Sequence, residues 1–229
     1  MIRHQKYFAS DRVDACINLA KWPCAIFALV ATIPAMLLFM GVVEQLNSTR
    51  PTLGAEIAAG VAAYCLIWWL FLKRTRISFF STLEHELTHA LFALLTLHPV
   101  TSIRSAFWEG KGNIGRMTFR GNGNWLITIS PYFFPAAPVV TCLIVSVLPN
   151  MLTEKTAGTL FGISLAYHFL STWNETHRGQ TDLRNVGFVF ATAFLPCANI
   201  VAISLCLVWF NNGIGEAIQH LGRLWSLTF

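Results

Sequence analysis

Long apolar runs, each able to cross a lipid bilayer, constrain this chain more than any other feature. A helix needs about 20 mostly apolar residues to traverse the hydrocarbon core, and several stretches of the 229-residue sequence reach that length. Charged residues make up only 12% of the chain, against ~25% in a typical soluble domain, so most of its surface is expected to face lipid. The first 21 residues are polar and basic, and the apolar run after them is a full span, not a signal-peptide core of ~7 to 15 residues. It is expected to stay as an anchor. The net charge of +5 is carried by Lys and Arg in short loops between spans, not by one basic patch. The expected partner is therefore the lipid bilayer and not nucleic acid. Cys16, Cys24, Cys65, Cys142, Cys197 and Cys206 stand singly with no CxxC pair, and they read as small core residues.

Six helical segments can be drawn, over about 23–43, 55–72, 77–97, 125–148, 156–173 and 186–210. The third stops before Pro99, and Pro131, Pro135 and Pro138 predict an irregular or kinked start to the fourth. Between them, residues 100–119 alternate polar with apolar or β-prone side chains around a Gly-rich turn at Gly110 to Gly112, a β-hairpin signal. The expected fold is an all-α integral membrane protein. It is a single polytopic domain over 1–229 with about six transmembrane helices and a short membrane-associated β-hairpin after the third. Near the C-terminus, over 213–227, Ile214, Ala217, Ile218, Leu221 and Leu224 or Trp225 recur beside Glu216, Gln219 and Arg223. That pattern suits an interfacial helix, or equally a packed terminal one. With six spans the basic residues divide almost evenly between the two sides. Arg3, Lys6, Arg12, Lys21 and the Lys73, Arg74, Arg76 cluster favour a cytoplasmic N-terminus, whereas Arg104, Lys111, Arg116 and Arg120 oppose it.

The third helix carries His85-Glu86-Leu87-Thr88-His89, the HExxH pattern. At i and i+4 the two imidazoles share one helix face, close enough to ligate one Zn ion at ~2.0 to 2.1 Å. Glu86 lies about 100° round the helix, where it can reach a water at the metal without coordinating the ion, the position of a general base. A chance match at an interfacial helix end is the alternative, and energetics oppose it. His85 falls about 12 Å into the helix at 1.5 Å per residue, and an ionised group at such depth costs ~2.5 to 3.5 kcal/mol. Glu84, His85, Glu86 and His89 together need a partner among their apolar neighbours, and a metal in a wet cavity is one.

These residues resemble the metal-binding helix of the site-2 proteases, zinc metalloproteases that cut substrates within membranes. The similarity spans about 81–190: EHELTHALFALLT resembles that helix, the hairpin segment resembles the membrane-associated hairpin after it, and SPYFFP looks like the Pro-containing entry to the next core helix. The resemblance implies a Zn cofactor, a catalytic core over about 77–210, and membrane-anchored regulatory proteins or leftover signal peptides as substrates. It also implies an Asp as third ligand, which the family carries in an NxxPxPxLDG segment that this sequence lacks. Asp182 in GQTDL matches that ligand type at the mouth of the sixth helix, with a helix N-cap as its competing role. His177, Glu175 and His168 are the other candidates; His168, Thr172 and Glu175 share one face of the fifth helix. Asn122 and Asn124 in GNGN read as a turn, with strand pairing to a substrate as the other option.

The expected activity is therefore metal-assisted peptide hydrolysis by a multi-pass protein of a bacterial inner membrane or its equivalent. His85, His89 and Asp182 would hold Zn, and Glu86 would take the proton of the attacking water. The rival is a membrane transport or binding protein that holds a metal without hydrolysis. Such a carrier has no use for a non-ligating carboxylate beside its first His.

Overall fold

In the computed structural model the described residues are 9–72, 79–108, 112–149 and 151–228. The N-terminal Arg3 and Lys6, the Lys73, Arg74, Arg76 cluster, the expected helix start at Ile77 and the hairpin turn at Gly110 and Lys111 lie outside them. Nine α-helices are described: α1 Ala9–Thr49, α2 Pro51–Ile67, α3 Phe79–Leu95, α4 Trp125–Ile129, α5 Ala136–Val147, α6 Glu154–Glu175, α7 Thr181–Val186, α8 Phe188–Asn212 and α9 Ile214–Thr228. A π-helical turn, Trp68–Leu72, extends α2. Strands β1 Val100–Trp108 and β2 Gly112–Phe119 form the expected antiparallel hairpin, pairing Val100 with Phe119 and Ile103 with Met117.

Three of these helices, α1, α2 with its π turn, and α8, are long and apolar enough to cross a membrane. A fourth crossing is counted if α4 and α5, bent by 77° across Ser130–Tyr132 and the following residues, form one broken span. The expectation of six is thereby reduced, and side-chain chemistry gives the reason. Helix α3 has 17 residues and includes Glu84, His85, Glu86 and His89, and α6 carries Glu154, Lys155, His168 and Glu175. By composition both fall outside that count, although α6 itself runs from the Arg50 junction at Glu154 to His85 at Glu175.

The ends of the bundle are fixed by two polar junctions. At one, Arg50 donates to Glu154 at 2.6 Å and to the Asn211 side chain at 3.1 Å, joining the α1–α2 turn, the start of α6 and the end of α8. At the other, the end of α6 meets α3 and α7. Among the described residues helix α3 packs against both strands, α4 and the Ser130–Tyr132 turn, which places it at this second end. Gly213, at φ 90°, turns the chain into α9. Ser204 bonds His220, Phe27 stacks on Trp225, and Leu224 joins the cluster of Ala28 and Cys197, so α9 runs back antiparallel along α8.

The bend at α5 follows from its prolines and from Glu84. Pro135 precedes the helix and Pro138 lacks a donor, while the Glu84 carboxylate accepts from the Ala137 N–H at 3.2 Å, capping the free helix start. Close packing of α2 on α6 rests on the GxxxG spacing of Gly158 and Gly162 opposite Gly60, since small residues let helix backbones approach in lipid. A Cβ on Gly162 would lie 2.0 Å from the Ile57 carbonyl oxygen, and one on Gly60 would lie 2.1 Å from that of Thr159. Replacing Gly162 by Val should therefore destabilise the protein by about 2 kcal/mol or more, through overpacking against backbone that cannot yield. Gly222→Ala, inside α9 where a Cβ meets nothing within 4 Å, should instead stabilise slightly, by up to about 1 kcal/mol; thermal unfolding in detergent compares the two.

Candidate metal centre

Helical spacing sets His85 and His89 side by side on α3, their ring centroids 4.7 Å apart. Each ring is held from behind at Nδ1. His89 Nδ1 lies 2.7 Å from the Ile127 carbonyl oxygen, and His85 Nδ1 lies 2.8 Å from Glu175 Oε2. A carbonyl and a carboxylate accept, so both Nδ1 atoms must be the protonated ones. In neutral imidazoles both Nε2 atoms then carry lone pairs. Those two atoms point at the same oxygen, Asp182 Oδ2, at 3.2 Å from His85 and 3.3 Å from His89.

Three electron-pair donors facing one point can share a metal cation there, or a proton on one of the rings in its absence. The separations fit a metal: ligand atoms ~2.0 to 2.1 Å from a tetrahedral centre lie about 3.3 Å from each other. His85, His89 and Asp182 each offer one ligand atom, all within 4.8 Å of one another, so this group can hold a metal ion. The acceptors behind Nδ1 fit as well, because metal-ligating His residues commonly donate their other N–H to a carboxylate or a backbone carbonyl. Asp182 is the second residue of α7, whose N-cap is Gln180. Its carboxylate faces the two histidines and does not close the helix end.

The remaining candidates separate cleanly. Glu175 stands behind His85 and also accepts from Ser81. His177 is exposed, with its Nδ1 accepting from the Gly179 N–H at 3.1 Å. His168 is buried at 3% exposure and does not line the cleft. That cleft has a volume of about 1150 Å³ and is bordered by His85, Glu86, His89 and Asp182. Glu86 is 9% exposed, and β2 runs directly over it: a Cβ on Gly115 would lie 2.6 Å from Glu86 Oε1. The Met117 backbone N–H also bonds its carboxylate. Among the described residues Glu86 is thus a carboxylate beside the centre, outside the three-ligand group.

Sequence reasoning missed the support for His89. Asn124 accepts from the Leu126 and Ile127 N–H groups at 3.1 and 3.2 Å, capping α4, and it donates to Asp14 Oδ1 at 2.7 Å. Asp14 in turn takes the Gly123 N–H and lies 3.0 Å from His98 Nε2, so α1, the turn after α3 and the α4 cap share one carboxylate. The cap orients the first turn of α4 and with it the Ile127 carbonyl that holds His89. The turn expected at GNGN was the available signal, since Asn before an apolar run is a good cap. Asn124→Ala should cost about 1 to 2 kcal/mol of stability and weaken metal binding by roughly tenfold. Asn122→Ala, at an exposed neighbour, should do neither; calorimetric unfolding and metal titration in detergent read both effects.

Compared with known proteins, the chain matches no family model, no curated protein and no solved structure.

Proposed function

We propose that this protein is a zinc metalloprotease that hydrolyses peptide bonds of membrane-anchored proteins. The observation that carries the reading is the convergence of two Nε2 atoms on one carboxylate oxygen at 3.2 and 3.3 Å, in a group whose ligand atoms all lie within 4.8 Å of one another, beside a buried carboxylate outside that group. Two imidazoles and an Asp suit Zn, whose catalytic sites use three protein ligands and leave a fourth position open. Zn bound there would lower the pKa of a water and polarise the scissile carbonyl.

The chain's own residues do the rest. Glu86 takes the proton of the attacking water and returns it to the leaving amine. The negative charge of Asp182 offsets part of the dication's charge, which matters where surrounding water is scarce. Strand β2 lies against Glu86 through Gly115 and Met117, so an extended substrate paired with the hairpin would present its backbone beside the base. A helical substrate must first unwind, because its peptide groups are committed to internal hydrogen bonds.

Two outcomes test the assignment. The purified protein should contain about one Zn per chain; His85→Ala and Asp182→Asn should lose it, whereas His177→Ala should keep it. A silent Asp182→Asn would remove that ligand from the site. Glu86→Gln should retain Zn and abolish cleavage of a reconstituted single-span protein substrate. Wild-type cleavage by that variant would end the protease mechanism, and loss of Zn from it would make Glu86 a ligand. A metal carrier would bind Zn equally well but cleave nothing.

A further inference from the structure

The two ends of the bundle differ in their exposed cations, the metal-end carboxylates Asp14, Glu86, Glu175 and Asp182 being turned inward at the site or its supports. At the end remote from the metal centre stand Arg50 and Lys155, each matched to an acid: Arg50 to Glu154 at 2.6 Å and Lys155 to Glu56 at 3.8 Å. On α9, Arg223 pairs with Glu216 at 3.0 Å. Every other described Lys or Arg surrounds the metal end. Arg12, Arg104, Arg116, Arg120, Arg178 and Arg184 are exposed there on α1, the hairpin, the α6–α7 loop and α7. Lys21 lies over the rings of Trp22 and Phe190, at 5.9 and 5.1 Å. The even division of cations expected for six spans disappears because α3 stays at one end, which returns the hairpin to the side of the N-terminus.

A second, independent feature marks the same level. Trp22 on α1, Trp69 in the π turn after α2 and Trp173 on α6 are 53, 62 and 71% exposed. Three outward-facing Trp residues on three separate helices form the belt that amphipathic rings make at the headgroup boundary. Lys21 adjoins the first, the 73–76 cluster follows the second closely, and Arg178 lies five residues past the third. Glu175, which holds His85, comes two residues after Trp173. The metal centre therefore lies at the depth of this belt.

We propose that the metal end is a docking surface for anionic phospholipid headgroups of the cytoplasmic leaflet, which seats the metal centre at headgroup depth and not at the bilayer midplane. Lys and Arg flanking spans are retained on the cytoplasmic side, and each basic residue near an anionic surface strengthens association about fivefold. Taken with the protease reading, on which this consequence alone rests, the scissile bond lies at the cytoplasmic boundary. A substrate helix has its unsatisfied terminal groups there, so less of it must unwind.

Two measurements on the full chain test the proposal without any appeal to proteolysis. In a variant with its native cysteines replaced by Ser, Thr176→Cys places a thiol at the exposed end of α6 and Ser48→Cys places one at the far end. A membrane-impermeant maleimide added to intact bacteria producing these variants should label Ser48→Cys, and Thr176→Cys only after permeabilisation. The opposite pattern overturns the orientation. In reconstituted vesicles of phosphatidylcholine, electron paramagnetic resonance of spin-labelled lipids should show phosphatidylglycerol preferred over phosphatidylcholine at the protein surface. The combined variant Lys21→Gln, Arg178→Gln, Arg184→Gln should lose most of that preference, and Arg50→Gln with Lys155→Gln should keep it. Equal association of the two lipids with the wild type, or a loss caused only by the far-end pair, overturns the lipid contact. Both results should be unchanged in Glu86→Gln, so they stand or fall apart from the enzymatic reading.

Discussion

A neutral imidazole whose Nδ1 proton is committed offers a lone pair at Nε2, and two such rings aimed at one carboxylate oxygen make an arrangement that a cation completes. Much of the metal end can be traced to what keeps His85 and His89 in that state. Glu175 must reach His85 from the last turn of α6, which requires α6 to run alongside α3 at that level. The Ile127 carbonyl must face His89, which requires α4 to begin at Asn124 and bend away through Ser130–Tyr132. Tyr132 sets its ring edge-on to His85 at 5.3 Å, and its complete burial fixes that wall. The 77° bend in the α4–α5 pair, which looks like a defect in a spanning helix, is thus what delivers a backbone acceptor to a ligand.

The sequence made some of this readable and hid the rest for physical reasons. HExxH was legible because two ligands and a base lie within one helical turn and the period of the helix alone brings them together. The hairpin was legible from alternation. Asp182 was reached partly by analogy, since nothing local distinguishes a ligating carboxylate from one in a first helical turn; only folding α7 against α3 decides it. Glu175 was recognised as part of the polar lining but not as the partner of His85, because choosing between ligand and supporting acceptor depends on which ring nitrogen it meets. Asp14 could not have been connected to the site at all. It acts across 110 residues of chain through Asn124, and no spacing rule reaches that far.

The span count failed for a related reason. An apolar run reports that a segment is buried, in protein or in lipid, without saying which. Residues 77–97 look like a span by length, yet α3 buries Ala90, Ala93 and His89 against the hairpin and α4 and remains at one end of the bundle. Four ionisable side chains within six residues were the warning. In sequence they read as a site deep in a spanning helix, whereas the structure sets them against the hairpin, α4 and the end of α6.

Placement at the headgroup boundary, as proposed, would suit the mixed lining of the metal cleft. Tyr64, Trp68, Leu72 and Phe80 are among its apolar lining residues, and Thr128, Asn174, Gln180 and Asn185 are among its polar ones. A cleft at the midplane would gain from apolar walls throughout, because each unsatisfied polar group there costs several kcal/mol. One open to bulk water would gain little from four large apolar side chains. A site at the boundary would meet both media, with apolar lining from α2, its π turn and Phe80 of α3, and polar lining from α4, the end of α6 and the α6–α7 junction. The π turn belongs to the apolar lining. Its altered hydrogen-bond period rotates the last residues of α2, and Trp68 and Leu72 border the cleft while Trp69 faces outward.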